Sequence, residues 1–242
     1  MLILPAIDLQ DGRCVRLVQG DFARSQAFSD DPAAVAQRWQ DAGASFLHLV
    51  DLDGARAGEP RNQDAIRRIR AAITIPIEVG GGLRSLESIA ALFDLGINRA
   101  ILGTAALKDR LFLRSSLARW GEKIAVGIDA RSGLVATDGW LETSTTLALA
   151  LARELAAEGV ARIIYTDISR DGTLSGPNLT SLAKLQQAIT QPIIASGGVA
   201  SLADLRALAS LGVEGAIVGR ALYTGEVNLA EAIKTIGRSV SC

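Results

Sequence analysis

Cysteine and histidine are almost missing from this chain. Its 242 residues hold two cysteines, Cys14 and Cys242, and one histidine, His48. That excludes the paired Cys/His spacings of zinc sites and of redox motifs, and it leaves no disulfide framework. Unpaired thiols suit a reducing compartment, so the cytoplasm is the expected location. An excess of charge of one sign is also missing. The 25 basic and 26 acidic residues give a formal net charge of −1, and no basic run exceeds Arg67-Arg68 with its neighbour Arg70. Neither nucleic acid nor an anionic membrane surface is therefore an expected partner. No apolar run has the length of a membrane span. The opening MLILPAID lacks a basic leader and is interrupted by Asp8, so it reads as a strand rather than a signal peptide. Aromatics are only 4% of a chain that is 49% apolar. The core must be built from Ala, Leu, Ile and Val, which suits helices packed on buried parallel strands.

What is present is a repeat. Residues 81–103 (GGLRSLESIAALFDLGINRAILG) and 197–219 (GGVASLADLRALASLGVEGAIVG) agree at 11 of 23 positions without gaps. The same offset of 116 pairs Asp51 with Asp167 and Asn62 with Asn178, and an offset of 121 pairs Asp8 with Asp129. The chain reads as one unit of about 120 residues used twice, with halves near 1–121 and 122–242.

Eight short apolar runs are the expected strands: Leu2–Asp8, Phe46–Asp51, Ile75–Val79, Arg99–Leu102, Ile124–Asp129, Arg162–Asp167, Pro192–Ala195 and Gly215–Val218. Helical patterns alternate with them, the fifth spanning Thr145–Ala157. Asp31 before Pro32, Ser85 and Ser201 stand at helix starts, and Gly43, Gly96, Gly159 and Gly212 at helix ends. Because Ser88 rather than Glu follows Ser85 by three, no full capping box is expected there. Eight βα units in this length predict a closed (β/α)8 TIM barrel, a single α/β domain with a two-fold internal repeat. A doubly wound dinucleotide fold would want GxGxxG after the first strand; the turn reads LQDGRC, so no dinucleotide cofactor is expected.

In such a barrel the chemistry sits at the C-terminal strand ends. Glycines end the third, fourth, seventh and eighth strands: Gly81-Gly82, Gly103-Thr104, Ser196-Gly197-Gly198 and Gly219-Arg220. Each neighbouring pair of turns can cradle a phosphate with backbone N–H groups, and Arg220 can add charge at the second cradle. The expected ligand is a small molecule with a phosphate at each end, roughly 15–20 Å apart. Aspartates end the other strands. Asp8 and Asp129, related by the repeat, face each other and can divide acid and base work. Asp51 and Asp167 precede polar loops and can equally well hold those loops. Asp11 and Asp171 precede glycine in turn patterns. His48 and Glu78 lie inside strands and read as partnered core groups. No serine has a histidine base in pattern, so a serine nucleophile is unsupported. The long segments Gln19–Ser29 and around Trp140 read as loops able to close over the site.

These motifs together resemble a known family. LPAIDLQDGRCVRLVQGDF at 4–22, HLVDLDGA at 48–55, VGGGLRS at 79–85, LGTAAL at 102–107, GWLETS at 139–144, YTDISRDGTLSGPN at 165–178, ASGGVASLADL at 195–205 and VGRALY at 218–223 are similar to the histidine-biosynthesis isomerases. These act on N′-(5′-phosphoribosylformimino)-5-aminoimidazole-4-carboxamide ribonucleotide. The resemblance implies a (β/α)8 barrel and an Amadori rearrangement without cofactor or metal. It implies Asp8 as general base, Asp129 as general acid and Thr166 as a supporting residue, with Gly172 among the phosphate-binding residues and Trp140 on the substrate's imidazole or packing its own loop. Family members are often monomers. The related cyclase subunit of imidazole glycerol phosphate synthase reads CLDV…DGRVVKG with a catalytic lysine, whereas this chain reads AIDLQDGRCVRLVQG, with Arg16 nearby and no lysine. Bifunctional relatives that also take phosphoribosyl anthranilate carry arginine where Asp138 stands. A non-catalytic phosphosugar-binding barrel would lack Asp8 or Asp129.

Overall fold

The computed structural model describes residues 1–236, and Cys242 lies outside them. The first half runs β1 (Leu2–Gln10), β2 (Arg13–Val18), β3 (Asp21–Ser29), α1 (Pro32–Asp41), β4 (Leu47–Asp51), α2 (Leu52–Ala57), α3 (Gln63–Ala72), β5 (Ile77–Gly80), α4 (Leu86–Asp94), β6 (Arg99–Leu102), α5 (Thr104–Lys108) and α6 (Arg110–Trp120). The second runs β7 (Ile124–Arg131), β8 (Leu134–Thr137), β9 (Glu142–Leu147), α7 (Ala148–Ala157), β10 (Ile163–Asp167), α8 (Leu179–Ala188), β11 (Ile193–Ser196), α9 (Leu202–Leu211), β12 (Gly215–Val218), α10 (Arg220–Thr224) and α11 (Leu229–Ile236).

Eight strands form a closed parallel ring in the order β1, β4, β5, β6, β7, β10, β11, β12, with β12 pairing back to β1. This is the (β/α)8 barrel. Side-chain alternation splits the apolar residues in two. A small inner cluster (Leu4, Ala6, Phe46, Ile101, Ala125, Ile164, Ile194 and Ile217) fills the barrel. A much larger one lies between strands and helices. Among the described residues no helix is long and apolar enough to cross a membrane.

Helix ends follow local chemistry. The Asp31 carboxylate accepts from the N–H groups of Ala33 and Ala34 at the start of α1. Gly43, Gly96, Gly159 and Gly212 all have positive φ. Ser85 corrects the expectation above: the Ser88 hydroxyl accepts from the Ser85 N–H and completes a capping box on α4. A serine oxygen at the third helical position does the work expected of a longer Glu.

Four strands lie outside the ring and correct the two expected loops. β1 continues beyond the barrel and folds back antiparallel as β2 and then β3, while β7 does the same with β8 and β9. The segment 21–29 is thus a strand, and 142–147 is strand rather than the beginning of a helix. The first turns of the two ribbons are Asp11-Gly12 (φ 49° and 74°) and Ser132-Gly133 (φ 52° and 81°). Two consecutive positive φ values make the two-residue turn whose twist matches paired strands. They stand 121 residues apart, as Asp8 and Asp129 do.

Candidate active site

Inward parity decides which residues reach the barrel mouth. On β1 the inward series is Leu4, Ala6, Asp8; on β7 it is Ala125, Gly127, Asp129; on β10 it is Ile164, Thr166. Strands β1 and β7 are opposite in the ring, so Asp8 and Asp129 approach one mouth from two sides. Asp51 and Asp167 have the other parity. Asp51 accepts from the N–H groups of Gly54, Arg61 and Asn62 and from Asn62 Nδ2. Asp167 accepts from Ser169 N–H and hydroxyl and from Asn178 Nδ2. Both are clasps closing the loop after their strand, and the repeat preserves them.

Asp8 is buried, and that burial raises its pKa, offset in part by Arg16 and His48. Arg16 Nη1 lies 2.9 Å from Asp8 Oδ1. Asp129 is also raised by desolvation, while hydrogen bonds from Trp140 and Thr166 pull it down. Trp140 Nε1 donates to Asp129 Oδ2 at 2.8 Å. Its indole ring lies against Gly20 at the turn of the other ribbon, where a Cβ would come within 2.1 Å of Trp140 Cε3. The two ribbons therefore meet over the mouth.

Beneath the acids runs a buried charge chain. His48 Nδ1 is 2.7 Å from Glu78 Oε1, and Arg99 Nη1 donates to Glu78 Oε2 at 2.7 Å. Burial would raise the Glu78 pKa, but His48 and Arg99 outweigh it and hold the carboxyl below its ordinary value.

The structure adds two groups that the sequence reading left aside. Asp171 turns into the mouth. Its pKa is pushed up to about 6, chiefly by burial, with Arg16 opposing and Asp8 and Asp129 adding to the rise. Arg16 is buried, its Nε has no hydrogen-bond partner among the described residues, and its guanidinium passes over Gly219, where a Cβ would come within 2.1 Å of Nη2. Strand parity gave no signal for Arg16: Val15 is the residue that pairs with Asp8, Arg16 shares the parity of Cys14, and the β2–β3 register shifts on both sides of it.

The second cradle is one cleft, lined by Arg16, Asp171, Gly172, Ser196, Gly197, Gly198, Gly219 and Arg220. Arg220 Nη1 donates to Gly172 O at 2.7 Å. The first cradle is side by side on neighbouring strands, since Gly80 pairs with Ile101 and the turns Gly81-Gly82 and Gly103-Thr104 follow. The β8–β9 tip covers it: Asp138 N–H donates to Thr104 Oγ1 at 2.9 Å. The doubled glycines have a second reason besides ligand approach. At Gly81 and Gly197 φ is 108° and 95°, and a Cβ would lie 2.2 Å from Asp51 O and 2.7 Å from Asp167 O. A wider cleft of about 660 Å³ lies outside the mouth, between the Asp11-Gly12 turn and α2–α3. Within it Asp53 accepts from Asp11 N–H and from Asn62 Nδ2, and Asn62 Oδ1 accepts from Gly12 N–H.

The family model described as histidine biosynthesis protein matches residues 2–228. The chain belongs to that family. A relative from Picosynechococcus sp. is 58% identical over 240 residues, covering 98% of this chain and 94% of its own. One from Chloroflexus aggregans is 57% identical over 233 residues, covering 96% and 97%. One from Herpetosiphon aurantiacus is 53% identical over 236 residues, covering 98% of both. All three carry the description 1-(5-phosphoribosyl)-5-((5-phosphoribosylamino)methylideneamino)imidazole-4-carboxamide isomerase.

Proposed function

We propose that this chain is the histidine-pathway isomerase that converts the phosphoribosylformimino aminoaldose to its phosphoribulosyl aminoketose. The observation that carries the reading is the placement of Asp8 and Asp129 on opposite strands of one mouth, between two pairs of glycine turns. The phosphates occupy the Gly81-Gly82/Gly103-Thr104 and Gly197-Gly198/Gly219-Arg220 turns, with Ser196 and Gly172 at the second. Holding both ends fixes a flexible substrate with its ribose over the acids. Asp129, made a better proton holder by burial, protonates the furanose oxygen, and the ring opens to a protonated imine. Asp8, ion-paired to Arg16, removes the proton from the adjacent carbon, and the enolamine tautomerises to the ketone. Thr166 orients the Asp129 carboxyl. Trp140 leaves Asp129 when the substrate arrives. A reducing cytoplasm and a monomeric barrel of two halves, near 1–121 and 122–242, complete the reading, and Cys14 is a free, buried thiol.

The test is a steady-state assay of the purified chain with the aminoimidazole substrate, run beside phosphoribosyl anthranilate. Asp8→Asn and Asp129→Asn should each lower kcat by a factor of about 10²–10⁴ with near-normal substrate binding. Retention of near-normal kcat by either variant removes that residue from its role, and turnover of the anthranilate makes the enzyme bifunctional.

A further inference from the structure

The two cradles are not charged alike. The offset that equates Gly103 with Gly219 equates Thr104 with Arg220, so the second cradle has a guanidinium where the first has a hydroxyl. The same offset equates Arg84 with Ala200, so positive charge near the first cradle comes from other positions than at the second. Lys108 closes α5, four residues after Thr104. On a helix, residues four apart share a face, and side chains lean toward the N-terminus. Lys108 therefore reaches back over the turn that Thr104 opens.

At rest that ammonium is engaged. Lys108 Nζ lies 2.6 Å from Asp138 Oδ2, while the Asp138 N–H occupies Thr104 Oγ1 at 2.9 Å. Arg84, two residues beyond the doubled glycine, is a further cation close enough to draw down the Asp138 pKa, behind the Lys108 hydrogen bond. The tip that brings Asp138 here is a tight turn, with φ of 53°, 66° and 71° at Asp138, Gly139 and Trp140, and it is tied down by Lys108, Thr104 and Asp129.

We propose that Lys108 is the phosphate-binding cation of the first cradle, and that Asp138 is a resting counter-ion which the substrate's phosphate displaces. The inference rests on the isomerase reading for its substrate but not for its anion site. The pair is half in solvent, with side-chain exposures of 57% and 29%, so its strength falls with added salt. Displacement also frees the ribbon tip and, through Trp140, the Asp129 carboxylate.

Two measurements test it. In the isomerase assay, Lys108→Ala should raise KM about five- to tenfold with kcat within twofold. Asp138→Ala should lower KM about two- to threefold and should have no effect on KM when Lys108 is already Ala. In a binding titration, inorganic phosphate is added to Arg220→Ala protein, in which the second cradle is weakened, and tryptophan emission is followed. Lys108→Ala in that background should weaken phosphate binding several-fold. The proposal is overturned if Lys108→Ala leaves KM and phosphate binding unchanged. It is equally overturned if Asp138→Ala raises KM as Lys108→Ala does while both lower the melting temperature alike, as a purely structural pair would. Wild-type protein that binds phosphate through Lys108 yet turns over no substrate defeats the isomerase reading alone.

Discussion

Three carboxyl groups share the mouth, and each has a different neighbour. Arg16 stabilises the ionised form of Asp8, Trp140 and Thr166 bond Asp129, and Asp171 lies among all of them with a pKa of about 6. Groups so close titrate as a set. Ionised Asp8 and Asp129 oppose ionisation of Asp171. Asp171→Asn removes the group that titrates at about 6, so a step in kcat/KM at that pH should disappear while the rest of the profile keeps its shape. Matched pH profiles of the two proteins check this, and a step that persists would show that Asp171 does not cause it. The aspartates at the strand ends were readable in the chain. Parity separates Asp8, Asp129 and Thr166 from Asp51 and Asp167, because the inward series Leu4 and Ala6, Ala125 and Gly127, and Ile164 lead to them. Asp171 was not readable. It follows its strand by four residues, inside a loop whose course the Asp167–Asn178 clasp sets.

At the scale of elements, the doubled glycines work as hinges of close packing as much as of binding. Gly197→Ala would place a methyl 2.7 Å from Asp167 O at φ 95°. The backbone alone should cost about 1–3 kcal/mol, and urea unfolding measures it; a loss well under about 1 kcal/mol would show slack in the turn. The core helices and barrel strands were legible, since periodicity and capping residues are local signals. The ribbons were not read as such. Asp11-Gly12, Gln19-Gly20 and Ser132-Gly133 all carry two positive φ values, and Asp-Gly is a strong hairpin signal. β3 is polar, mostly exposed and without β-branched residues, as in ARSQ at 23–26, so no alternation pointed to its pairing. Only the partner strand makes such a segment extended.

At the scale of the molecule, the ring encloses a charge chain where apolar residues would be the default. Glu78 is fully buried between His48 and Arg99. Glu78→Ala leaves Arg99 without its counter-charge and should cost about 3–5 kcal/mol. Burial raises the Glu78 pKa, but its two partners more than offset this and depress it. Its pairing therefore stabilises the fold above the unfolded-state pKa of about 4.3. That contribution is lost as pH falls through the lower folded value. Glu78→Gln should accordingly flatten the acid side of the stability curve, and chemical denaturation between about pH 5 and pH 3 will show it; an unchanged slope would mean the carboxyl gains nothing from its partners.

Sequence by itself determined the eight barrel strands, their two-sided burial, most ends of the eight longer helices and the glycines and aspartates at the strand ends. These follow from side-chain periodicity and backbone preference, which act over a few residues. Tertiary structure alone decided that Arg16 and Asp171 enter the mouth, that the ribbons meet through Trp140 and Gly20, and that Asp138 rests on Lys108. Each of those contacts joins segments far apart in the chain. They form only once ring closure has fixed the distances between strand ends, and no local pattern encodes that.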